Sequence, residues 1–417
     1  MPHFSTQPFN VNGRIYSLPA GPVVVVCLDG CSDEYINAAM LHGDMRALRH
    51  IAEHGFRGLA RGALPSFTNV NNASIVTGVP PSIHGISGNF FLDPASGQEV
   101  MMNSAGFLRA DTVLAAAAVV GRSVAMVTAK EKLRDILSHR LNGIAFSSEK
   151  ANLARRATHG IDDVEKLVGK PTPQIYSAEA SLYVLQAGVA LLKEQRADFL
   201  YLSLTDFIQH KFAPEAPEAI AFLSAIDCEL GRMLEAGAIV GATADHGMNS
   251  KQTVWGEPNV IYLETLLIDE FGPGFRVILP ITDPYVLHHG ALGSFATIHL
   301  PKKVDIERVR ARLMEIDEVT EIYDRATAAR KLELPADRIG DLVVMSRRNV
   351  TLGRTPEYHD LNVLNGSLRS HGGRYEEMVP LLISEALTPE YKAKAAADPR
   401  NFDVFDFTLN GTQASRS

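Results

Sequence analysis

Residues 22–28, PVVVVCL, form an almost unbroken apolar, β-branched run that stops at Asp29-Gly30, and a helical pattern follows from about Asp33. A strand built from such a run has no polar face to turn to water, so both of its faces must be covered. Comparable runs recur at residues 123–128 (SVAMVT), 199–204 (FLYLSL), 238–244 (AIVGATA) and 379–384 (VPLLIS). Helical stretches separate them, among them residues 181–194 and 217–235. Strands alternating with helices imply a mostly parallel sheet with helices on both faces, an α/β sandwich of three layers.

The pattern changes after about Val260. Residues 275–280 and 295–300 read as strands, and 305–316 as an amphipathic helix with Ile306, Val309, Leu313 and Ile316 on one face. Residues 321–323 and 341–345 read as further strands. This order, without long crossover helices, predicts a small α+β cap inserted over residues 262–355. The core α/β domain then lies in two parts, 1–261 and 356–417. Residues 401–417 are expected to fray in part.

Composition narrows the function. Apolar residues make up 46% of the 417 and charged residues 21%, which excludes a disordered or collagen-like chain. A net charge of −8 leaves no basic excess for general nucleic-acid binding. The three cysteines are too few for a disulfide framework, and Cys27 and Cys31 read as packing residues. Residues 1–10 lack the signature of a signal peptide, and no apolar run is long enough for a membrane span. The chain therefore reads as soluble and cytoplasmic, without a membrane partner; a homodimer is left open.

Several strand ends finish in acidic or His-containing turns. Asp29 follows VVVVCL, Asp206 follows YLSLT with His210 four residues on, and Asp245-His246 follows GATA. His371-Gly372-Gly373 lies in a Gly-flanked loop before the last core run. Ligands of open α/β sheets bind outside the carboxyl ends of the strands. Asp and His are natural ligands of zinc, manganese or iron. One such Asp alone is more often a helix N-cap; it is the gathering of all of them at one sheet edge that points to metal. Residues 63–78, ALPSFTNVNNASIVTG, hold a cluster of hydroxyl and amide side chains, and Pro65 with the Asn run opposes a regular helix before Ala73. A Thr at such a turn offers hydroxyl and backbone N–H to an anion. His84, a full helix beyond, reads as structural.

Taken together, these segments resemble the alkaline phosphatase superfamily, in its nucleotide pyrophosphatase/phosphodiesterase-like branch. The pattern of that branch, Asp-Gly, then Pro-x-Phe-Thr with a following Thr-Gly, then Pro-x-x-His-Gly-Ile, is met here by LDG, PSFTNVNNASIVTG and PPSIHGI. The resemblance implies an alkaline phosphatase-like fold and two divalent cations, zinc first, with manganese or iron as alternatives. One cation would sit on Asp206, His210 and His371, the other on Asp29, Asp245, His246 and the Thr68 oxygen. Thr68 would be the nucleophile, and Asn89 would contact a phosphoryl oxygen. Within the branch the chain is most similar to members that cleave the carbon–phosphorus bond of phosphonoacetate, which implies acetate and phosphate as products and a phospho-threonine intermediate. Lys130 and Lys132, in VTAKEKLR, would then meet the substrate carboxylate. Alternatives are a nucleotide pyrophosphatase/phosphodiesterase on the same two-metal site and a non-catalytic phosphate-binding protein; Trp255 and Phe90-Phe91 would serve equally to wall off a small site or to stack a base, and so do not decide.

Overall fold

The computed structural model describes residues 4–282, 290–364 and 368–412. Its central sheet has seven strands: β1 (Val23–Cys27), β2 (Phe56–Arg61), β3 (Val124–Thr128), β4 (Ile144–Ser147), β5 (Phe199–Ser203), β6 (Ile239–Thr243) and β7 (Met378–Ile383). They lie in the order β2-β7-β6-β1-β5-β3-β4. Strands β6, β1, β5, β3 and β4 pair in parallel, whereas β7 runs antiparallel to both β6 and β2.

The sequence of β1 explains its central place. Val24 and Val26 point into one helical layer with Tyr35, Ile36, Leu185 and Leu230. Val23, Val25 and Cys27 point into the other, with Ile75, Val76, Leu114 and Phe405. Strand-period alternation thus feeds two separate apolar cores, the three-layer sandwich expected of the run. Cys27 and Cys31 are buried among these side chains. Strands β2 and β4 were not legible as strands; β2, FRGLAR, is a half-buried edge strand without an apolar pattern, and β4 has four residues.

A second sheet orders Arg276–Ile278, Phe295–His299, Leu342–Ser346 and Val319–Asp324, all antiparallel, with the helix Ile306–Met314 beside it. Its core is shared with Phe67, Val70 and Ala73, so this sheet packs directly on the start of helix α1 (Thr68–Thr77). Pro280 also accepts the backbone N–H of Asn89 at 2.8 Å.

One expectation is corrected, and another is narrowed. Helix α1 begins at Thr68, ahead of Ala73, because the side chains of the Asn run find partners that the fold supplies and leave the helical ladder intact. Asn71 instead clasps Ala63, accepting its N–H at 2.7 Å and donating to its carbonyl at 3.0 Å. The C-terminal segment forms a helix, Val404–Asn410, whose Phe405 and Phe407 are buried against the sheet; residues 413–417 lie outside the described residues.

Candidate active site

The carboxyl ends of β1, β5 and β6 deliver Asp29, Asp206 and Asp245-His246 to one edge, as parallel strands in register must. His210 follows Asp206 by one helical turn, and its Nε2 lies 2.9 Å from Asp206 Oδ2. The loop before β7 adds His371, with Nε2 3.7 Å from the same oxygen. His246 Nε2 lies 3.3 Å from Asp29 Oδ1. Two groups of ligand atoms result, each within 4.8 Å: Asp206, His210 and His371, and Asp29, Asp206 and His246. Asp206 therefore borders both. Asp245 sits just behind, its Oδ2 3.8 Å from His246 Nε2.

This arrangement fits divalent cations. Among the described residues, neither oxygen of buried Asp29 accepts a hydrogen bond, which is costly for a carboxylate unless a cation faces it. Each imidazole turns Nδ1 to a backbone carbonyl: His210 to Arg369 at 2.7 Å, His371 to Ser66 at 2.7 Å, His246 to Gly247 at 2.9 Å. Nδ1 then donates to the carbonyl, which points Nε2 of each ring towards the carboxylates. Metal-binding histidines are oriented in this way. Burial, with the charges of Asp206 and Asp245 adding to it, holds the Asp29 carboxyl well above its usual range. Burial and Asp206 push Asp245 up to about 6. Burial and the neighbouring imidazoles hold His371 well below the ordinary histidine value. Three buried carboxylates whose mutual charge opposes ionisation, with imidazole nitrogens beside them, make a donor set that suits divalent cations.

Thr68 opens α1, and its Oγ lies 3.4 Å from His246 Nε2. Beside it, the backbone N–H of Asn69 donates to Asn89 Oδ1 at 3.3 Å, which brings Asn89 to the same helix N-terminus. Lys130 reaches in from the end of β3, its Nζ 3.4 Å from Asp206 Oδ1 and 3.8 Å from Asp29 Oδ2. Burial works against its charge, yet Asp206 and Asp29 outweigh burial and raise its pKa. Lys132 opens with it onto a cavity of about 350 Å³, lined also by Asn103, Glu149, Lys150 and Tyr176. Burial, then the Lys130 charge, lowers Lys132 to about 7. Neither lysine is a solvated surface residue. Asn103, Glu149 and Tyr176 carried no signal in the sequence, since they come from three segments that only the fold joins.

His84 is buried and accepts the Ile86 N–H at Nδ1 while its Nε2 meets Ser74 Oγ at 2.8 Å, a structural role. Phe91 packs edge-on against Phe107 in the core shared with the second sheet, and Trp255 is 83% exposed.

Residues 23–374 match the model of the family described as Type I phosphodiesterase / nucleotide pyrophosphatase. The chain belongs to this family. It is thus a hydrolase of the metal-dependent alkaline phosphatase superfamily, in the pyrophosphatase/phosphodiesterase-like branch. It is similar to phosphonoacetate hydrolase from Sinorhizobium meliloti 1021 in complex with phosphonoacetate, with 46% identity, 98% of this chain and 100% of that chain covered, and a TM-score of 0.92. The complex of that protein with phosphonoformate matches equally. Murine ectonucleotide pyrophosphatase / phosphodiesterase 5, at 17% identity and a TM-score of 0.62 over 94% of this chain and 95% of that one, shares the fold.

Proposed function

We propose that this chain hydrolyses the carbon–phosphorus bond of phosphonoacetate, giving acetate and phosphate. The observation that carries the reading is the 46% identity, over 98% of the chain, to a hydrolase with phosphonoacetate bound. The lysine-lined cavity beside the Asp/His cluster agrees with it. Asp206, His210 and His371 would hold one cation, and Asp29, Asp245 and His246 with the Thr68 oxygen the other, with zinc the best match to the donor set. When bound, such cations neutralise the phosphonate dianion and acidify a neighbouring hydroxyl.

The chain's own residues do the rest. Asn89 and the N-terminus of α1 hold the phosphoryl oxygens. Thr68 gives up its hydroxyl proton to solvent as its Oγ attacks phosphorus, the P–C bond breaks, and its electron pair passes to the CH2 group and into the adjoining carboxylate. Lys130 and Lys132 face that growing charge; a proton taken up from solvent at carbon then completes acetate. Water next breaks the phospho-threonine ester, which restores the Thr68 hydroxyl and frees phosphate. The three cysteines, all free, suit the cytoplasm, where we place the protein.

The test is turnover of phosphonoacetate in D2O by zinc-loaded protein. Release of phosphate with singly deuterated acetate is expected. A preparation that cleaves a nitrophenyl phosphodiester but releases no phosphate from phosphonoacetate would contradict the proposal.

A further inference from the structure

One turn after Thr68, the fully buried side chain of Asn72 lies between α1, β5 and the end of β6. Its Nδ2 donates to Asp245 Oδ2 at 3.2 Å and to the Thr68 backbone carbonyl at 3.1 Å. Its Oδ1 accepts the hydroxyls of Tyr201 at 2.7 Å and Ser203 at 2.8 Å. A carboxamide has two donors and two acceptor lone pairs, and all four are used. The orientation has one solution, because a carboxylate and a carbonyl can only accept. A half-turn of the amide would lose the two bonds to Asp245 and Thr68 and set its oxygen against the Asp245 carboxylate.

Asp245 is held asymmetrically. Its Oδ1 takes the backbone N–H of Gly30 at 3.2 Å and of His246 at 3.0 Å. Its Oδ2, the oxygen nearer His246 Nε2, takes the Asn72 amide. Backbone therefore fixes one oxygen, and a side chain anchored on a neighbouring strand fixes the other. The same amide grips the carbonyl of Thr68, so the carboxylate and the first turn of α1 share one clamp.

We propose that Asn72, oriented by Tyr201 and Ser203, is a positioning residue that sets the Asp245 carboxylate and the Thr68 turn in one register and thereby sets the affinity of the Asp29–Asp245–His246 cation site. The inference rests on the two-cation reading above. Outer partners of metal-binding carboxylates are worth about 10–100-fold in affinity.

The experiment titrates zinc into metal-free wild type, Asn72→Ala, Asn72→Asp and the double variant Tyr201→Phe/Ser203→Ala, and measures the melting temperature of each metal-free protein. The double variant touches no proposed ligand and leaves packing nearly intact, so it stands if the Asn72 variants fail to fold. His210→Ala marks the other zinc-binding step. One of the two binding steps should weaken about 10–100-fold in every clamp variant, most in Asn72→Asp, while the step marked by His210→Ala stays unchanged. A lowered melting temperature with wild-type zinc affinity would make the clamp purely structural and overturn the inference alone. Two zinc-binding steps weakened equally would also overturn it. A wild type that takes up neither zinc nor manganese nor iron would overturn the two-cation reading and the inference with it.

Discussion

The Asp/His cluster and the lysine-lined cavity adjoin each other but are built differently. Asp29, Asp206, Asp245, His210, His246 and His371 are all buried, sit at strand ends or in a loop tied to them, and are mostly held by backbone partners. Lys130 and Lys132 are half-buried at the start of helix α2 (Glu131–Leu137) and face Tyr176 and Glu149, from segments remote in sequence. The cluster is the rigid part, suited to chemistry shared across a family. The cavity is built from segments that differ more freely, and the proposed function assigns it the choice of substrate. Variants of the two regions should therefore fail in different ways.

The largest effect belongs to Thr68→Ala. It should lower kcat by about 10³-fold or more while zinc content stays at the wild-type value, since the carboxylates and imidazoles remain. Activity within tenfold of wild type would remove Thr68 as nucleophile. Next come the ligands. Chelation should abolish turnover and zinc restore it. His371→Ala should reduce zinc towards one ion per chain, whereas Asp206→Asn, whose oxygens border both groups, should weaken both sites, each with a loss of more than about 10²-fold in kcat/KM. Unchanged zinc content in both variants, read by elemental analysis, would break the assignment.

The cavity should behave otherwise. Replacing Lys130 and Lys132 by Ala should cost about 10²-fold or more in kcat/KM for phosphonoacetate, from roughly 1.5–3 kcal/mol per charged hydrogen bond, and much less for a nitrophenyl phosphodiester. Equal losses on both substrates would assign the lysines to the phosphoryl group. A smaller effect follows from Lys132 alone. Because burial lowers it to about 7, its ammonium is present below that pH and lost above it. KM for phosphonoacetate should rise up to about tenfold per pH unit above 7, and Lys132→Arg, which keeps its charge, should flatten that rise. An unchanged profile in the variant would separate Lys132 from substrate binding. Trp255→Ala should alter kcat/KM for either substrate less than about twofold, as expected of an exposed side chain.

The two regions were also unequally legible in the sequence. Strand runs such as PVVVVCL announce themselves because burial on both faces demands them, and the residue after each strand then falls at the sheet edge by geometry. That was enough to bring Asp29, Asp206, Asp245 and His246 together on paper. The start of α1 was not legible, because the tertiary bonds that free the Asn run for helix, such as Asn71 to Ala63, lie outside local propensity. Nor was the Asn72 clamp, whose partners Tyr201 and Ser203 stand on a strand 129 and 131 residues away. Lys130 and Lys132 were legible only through resemblance.

The most direct test of the central claim is a comparison of kcat/KM for phosphonoacetate and for a nitrophenyl phosphodiester in one zinc-loaded preparation of the wild-type chain. If the lysine-lined cavity selects a small carboxylate, phosphonoacetate should be preferred by about 10²-fold or more. A preference for the diester would show that the shared cluster serves a phosphodiesterase and that the cavity does not choose the phosphonate.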